Sequence, residues 1–149
     1  ISIEQTGNNN AVDILTIAAG DNNIGNVDVA SILGANSLPI IVCNNSVAIN
    51  TATSGNVQLV ALSGSTVIYV CAMDVIASGI VQFQLITGTG TACATGETDF
   101  TGPYDLVAQS GLSKGSGLGT IFRTAAGGAL CLELNAAIQV NGSVSYAQF

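Results

Sequence analysis

The sequence predicts an all-β protein: a jelly roll or another antiparallel β-sandwich, preceded by an extended N-terminal arm. Three observations lead there. From Pro39 onward, short apolar runs are separated at fairly regular intervals by Gly, Ser and Asn turns, the sequence form of a sandwich or barrel. Apolar and amide residues alternate in Val81-Gln82-Phe83-Gln84-Leu85 and again in Ile138-Gln139-Val140-Asn141, so one sheet face is buried and the other is wet or touches a partner. No long stretch carries a 3.6-residue apolar period with a capped start, so helix content is expected to be small.

Taken in order, residues 1–38 form the arm and 39–149 the β domain. Within the arm, Ala11-Val12-Asp13-Ile14-Leu15-Thr16-Ile17 is followed fifteen positions later by Asn26-Val27-Asp28-Val29-Ala30-Ser31-Ile32. Each copy reads as a short β segment and a small-residue turn whose apolar face needs a neighbour to cover it. Val12, Ile14, Ile17, Ile24, Val27, Val29 and Ile32 are the candidate assembly residues. Their alternation suits strand addition to a neighbouring sheet edge.

In the β domain the expected strands are 40–43, 57–62, 66–73, 80–87, 104–109, 120–124, 129–134 and 137–147. Asn44-Asn45-Ser46, Ser63-Gly64-Ser65, Ser78-Gly79, Gly88-Thr89-Gly90, Gly115-Ser116-Gly117 and Ala126-Gly127-Gly128 supply the turns, where glycine tolerates positive φ. Ala125 to Leu130 has the length of a short helical turn, but its paired glycines argue against one. Strand order is not written in periodicity, which leaves jelly roll and immunoglobulin-like sandwich both open.

Cys43, Cys71, Cys93 and Cys131 are spaced by 28, 22 and 38 residues, with no Cys-x-x-Cys pair and no His to complete a zinc site. The alternatives are buried free thiols or two disulfides in one of three connectivities. Cys43 with Cys71 and Cys93 with Cys131 is favoured because both pairs close moderate loops, each contributing on the order of 3 kcal/mol. Such bridges suit a particle outside the cell.

The chemistry available is narrow. Without His, no Ser-His-Asp or Cys-His couple can be built. Lys114 sits among glycines and serines, where a lysine is solvated. Glu97 and Asp99 face the same side if extended, and Asp74, Asp105 and Glu133 are the other acids for a carboxylate pair of the glycosidase type. With no Trp and three Tyr, the chain has little to stack on a sugar. Asp21-Asn22-Asn23 and Glu97-Thr98-Asp99 offer oxygen ligands without calcium-loop spacing, and Asx turns account for them. The glycine-rich 111–119 segment lacks the Gly-Lys-Ser/Thr of a phosphate loop. Asn44-Asn45-Ser46 and Asn141-Gly142-Ser143 match the glycosylation triplet, a pattern common by chance. We therefore expect no catalytic, cofactor or metal site.

Composition points to assembly instead. The chain is 48% hydrophobic but 7% charged, against about a quarter charged in an ordinary soluble domain. Charge depletion marks interface cores. Nine carboxylates stand against Lys114 and Arg123, a net charge of −7, which leaves no basic patch for nucleic acid or an anionic membrane. No uncharged apolar run reaches the roughly 20 residues of a membrane span, so the positive mean hydropathy of +0.57 reflects packed strands. Ile1 to Gln5 shows neither the charged nor the apolar part of a secretory signal; the expectation is that the start is processed or that the export route is something else.

Gly20-Asp21-Asn22-Asn23-Ile24-Gly25-Asn26-Val27-Asp28-Val29 resembles linker repeats of tailed-bacteriophage structural proteins. Cys93-Ala94-Thr95-Gly96, 106–111, Ala129-Leu130-Cys131 and the ending Asn141-Gly142-Ser143-Val144-Ser145-Tyr146 are similar to small virion proteins of the same phages. The resemblance implies a virion component, often trimeric, that decorates or cements the capsid or forms a head or tail fibre. It carries over no functional residue. The expectation is a homo-oligomer, with a trimer favoured, on the capsid surface, contacting the major capsid protein or other virion proteins. The alternative is a trimeric fibre or receptor-binding module that takes host glycan.

Overall fold

A computed structural model describes residues 41–117 and 119–149, which belong to the compact unit Ile40–Phe149. The arm repeat and its candidate assembly residues lie outside the described residues. The strands are β1 (Asn45–Thr51), β2 (Gly55–Val60), β3 (Ile68–Ala77), β4 (Val81–Thr89), β5 (Thr95–Asp99), β6 (Tyr104–Leu106), β7 (Gly111–Gly115), β8 (Phe122–Arg123), β9 (Ala129–Leu134) and β10 (Val140–Gln148). Among the described residues a 3-10 turn at Thr91–Cys93 is the one helical element.

Two antiparallel sheets form the sandwich. The first runs β1-β10-β3-β7, with β8 also on β3; the second runs β2-β9-β4-β5, with β6 also on β4. If the two short strands on β3 count as one position and the two on β4 as another, the pairs nest from the outside in: first with last, second with seventh, third with sixth, fourth with fifth. That nesting is a jelly roll.

The core lies where the inward faces meet. Ile68, Val70, Met73 and Val75 of β3, Val81, Phe83 and Leu85 of β4, Leu130, Leu132 and Leu134 of β9, and Val140 and Val144 of β10 form one buried cluster. Alternation within β3 slips by one residue, from Ile68 and Val70 to Met73, Val75 and Ala77. The cause is a bulge: Ala72 pairs with Ser145 and Val70 with Tyr146, which leaves Cys71 without a partner on β10. A bulge re-aims a side chain, and here it turns Cys71 outward while keeping both halves of the strand facing the core.

Several sequence expectations change. Ile41 to Asn44 carries no strand, and β1 begins inside the expected Asn44-Asn45-Ser46 turn, at Asn45. With Val47 and Ile49 as its only branched apolar residues, β1 has a faint pattern. β7 falls inside the glycine-rich stretch and has Leu112 as its one apolar residue, and β5 is exposed along its length. Both are strands because β3 and β4 supply hydrogen-bonding edges. Conversely, β6 and β8 are shorter than expected.

Candidate functional site

The outer face of the second sheet gathers most of the polar chemistry. Because Val81, Phe83 and Leu85 point inward, Gln82, Gln84 and Ile86 point out. On β9 the same parity sends Ala129, Cys131 and Glu133 outward. One end of this face is covered. Ile86, Ala129, Cys131 and Cys93 form a second buried cluster beneath the 3-10 turn, which is why β9 is buried along almost its whole length. Gly88 makes the cover possible, since a Cβ there would stand 2.5 Å from the Cys93 carbonyl oxygen.

The other end is open. Gln82, Phe83, Gln84, Pro103, Glu133 and Asn135 line a shallow depression of about 230 Å³. Gln82 Nε2 donates to Asp105 Oδ1 at 2.6 Å, and Asn135 Nδ2 donates to Gln82 Oε1 at 3.2 Å. Gln84 Nε2 donates to both Asp99 Oδ1, at 3.3 Å, and Glu133. Asn56 Nδ2 reaches Glu97 Oε2 at 2.6 Å. Each of these four carboxylates is therefore tied to a neutral amide. Asp74, the remaining acid among the described residues, accepts from Ser143 on the first sheet.

That arrangement separates one of the candidate acids from the others. Asp74 is on the other sheet from Asp99, Asp105 and Glu133, while Asp99 and Glu133 share one amide donor. Among the described residues no three His, Cys, Asp or Glu side chains are grouped to hold a metal. The segment 111–115 of the supposed phosphate-like loop is a strand. Asn141 of one glycosylation triplet sits within β10, and its Oδ1 accepts from Gln139 Nε2 at 2.9 Å.

Lys114 has a part that its neighbours in sequence do not suggest. Its Nζ donates to Tyr104 Oη at 2.8 Å and lies 5.3 and 5.4 Å from the centroids of Tyr104 and Phe122. Phe100 stacks on Phe122 at 6.2 Å, and Tyr104 packs on Phe83 at 5.1 Å. An aromatic row under a cation thus lies between β6 and β8 on this side of the sandwich.

The four cysteines form two bridges, Cys43–Cys71 and Cys93–Cys131. Neither crosses the core. The first holds the chain ahead of β1 against the outer face of the first sheet, at the β3 bulge; the second holds the 3-10 turn against the outer face of the other sheet. Cys93 and Cys131 are fully buried, whereas Cys43 and Cys71 are half-buried.

No protein-family model matches this chain, and no curated protein matches its sequence.

Proposed function

We propose that this chain is a non-catalytic structural protein of a tailed-bacteriophage virion, which decorates or cements the capsid through self-assembly and its N-terminal arm. The observation that carries the proposal is the outer face of the first sheet. Across it, Ala48, Ser143, Asp74 and Ser113 form one row in register, and Ser46, Ser145, Ala72 and Gly115 another. Small side chains with one carboxylate among them give a nearly neutral surface suited to close protein contact. Bridges that harden both outer faces fit a module exposed outside the cell, and the resemblance of the arm repeat to phage linkers supports the setting. Quantitative mass spectrometry of purified particles is expected to find hundreds of copies per virion; a few dozen or fewer would overturn a cement role.

The open depression at Gln82, Gln84, Glu133 and Asn135 supports the second reading, a fibre or receptor-binding module that takes a host saccharide through its hydroxyls. Phe83, at 1% exposure, offers no ring face to that ligand, which places this reading second. Adherence of the isolated protein to host cells distinguishes it.

A further inference from the structure

We propose that β1 is a docking edge that pairs antiparallel with β1 of a second copy across a twofold axis, joining their first sheets into one. The inference names the contact surface for the self-assembly proposed above and rests on that reading.

An edge strand is a template for pairing, and folded proteins guard such edges with charge, proline, bulges or brevity. Every other edge among the described strands is guarded in this way. β2 has a register shift between Gln58 and Val60. β5 carries Glu97 and Asp99, and its own register with β4 is broken. β6 has three residues and β8 two, each with a charge, and β7 carries Lys114. By contrast, β1 is seven residues of Asn-Ser-Val-Ala-Ile-Asn-Thr, without charge, proline or bulge, in unbroken register with β10 on one side. Among the described residues nothing pairs with its other side.

Self-complementarity selects the partner. About Ala48 the strand is close to a palindrome in polarity. In a twofold antiparallel pair centred there, Ala48 faces its counterpart, Val47 faces Ile49, Ser46 faces Asn50 and Asn45 faces Thr51, so each pair matches apolar with apolar or polar with polar. Opposed residues in such a pair stand about 5 Å apart at Cβ and interact directly. Burial agrees. Val47 and Leu59 of neighbouring β2 pack on the core but remain half-exposed, and on this side of the sandwich no cation caps an aromatic row as Lys114 does on the other.

The test uses the full chain and two double variants at exposed positions. Ser46→Lys with Asn50→Lys sets lysine against lysine twice across the axis. Ser46→Glu with Asn50→Lys sets glutamate against lysine at the same places. By sedimentation velocity over a concentration series, the first is expected to halve the mass of the wild-type species or weaken its association at least tenfold, and the second to retain it. Equal behaviour of the two variants, or a wild-type mass kept by both, would overturn the β1 contact while leaving self-assembly through another surface. A wild-type monomer at every concentration would overturn self-assembly as well. If the dilysine variant does not fold, amide exchange of the wild type decides: protection of the outward β1 amides must rise with protein concentration, and concentration-independent exchange overturns the contact.

Discussion

Gly142 lies in β10 between Ile49 of β1 and Val75 of β3, at the centre of the first sheet. Its φ of +152° is one that L side chains rarely adopt, and a Cβ built there would stand 1.9 Å from the Asp74 carbonyl oxygen, 2.8 Å from the Asp74 carbonyl carbon and 3.0 Å from Val75 Cα. All three atoms are β3 backbone, so no side-chain rotation relieves the overlap, and Gly142→Ala must push two paired strands apart or break their ladder. Unfavourable backbone conformation costs about 1–3 kcal/mol, and overpacking a filled interior about 1–3 kcal/mol more. Together they give about 2–6 kcal/mol, a large part of the roughly 5–15 kcal/mol that holds a domain folded. At roughly 4 °C per kcal/mol for a domain of this size, the melting temperature should fall by about 8–24 °C. The assay is equilibrium urea unfolding with the disulfides intact, with Gly102→Ala as the control, since a Cβ at Gly102 meets nothing within 4 Å. A Gly142→Ala loss below about 0.5 kcal/mol, the usual range for a surface change, would refute the close approach of β10 to β3.

Three further predictions concern the bridges and a buried hydroxyl. Under graded reductant, alkylation mass spectrometry should find Cys43 and Cys71 modified before Cys93 and Cys131, because only the first pair is accessible in the folded state; simultaneous loss would show that reduction proceeds through global unfolding. Replacing the Cys93–Cys131 pair by alanines should cost about 4 kcal/mol from loop entropy alone, read as a lower urea midpoint. Thr124→Val removes the Oγ1 that accepts from the Ile68 amide at 2.9 Å in a site where Thr124 is 4% exposed. With that amide left buried and unpaired, stability should fall by about 1–3 kcal/mol, and a change of a few tenths would argue that water reaches it.

The strong strands were legible because their inward residues carry the sheet period: Val81, Phe83 and Leu85 in β4, and Leu130, Leu132 and Leu134 in β9. The same alternation placed Gln82 and Gln84 together on the outer face. It did not name Asp99, Asp105 and Glu133 as their partners, since those hydrogen bonds join residues 15 to 49 positions apart. Lys114 has glycine and serine neighbours in sequence, but its surroundings in the fold are Tyr104 and Phe122, brought there by strand pairing.

By itself the sequence determined the all-β class, the scarcity of charge and the lack of histidine chemistry, because these depend on composition and on a period local to each strand. Tertiary structure decided the jelly-roll order, the outward turn of Cys71 at its bulge, the strands formed by Thr95–Asp99 and Gly111–Gly115, and the position of β1 at an edge. Each of those depends on which strand lies alongside, and hydrogen bonding between neighbours distant in sequence leaves no periodic trace in either one.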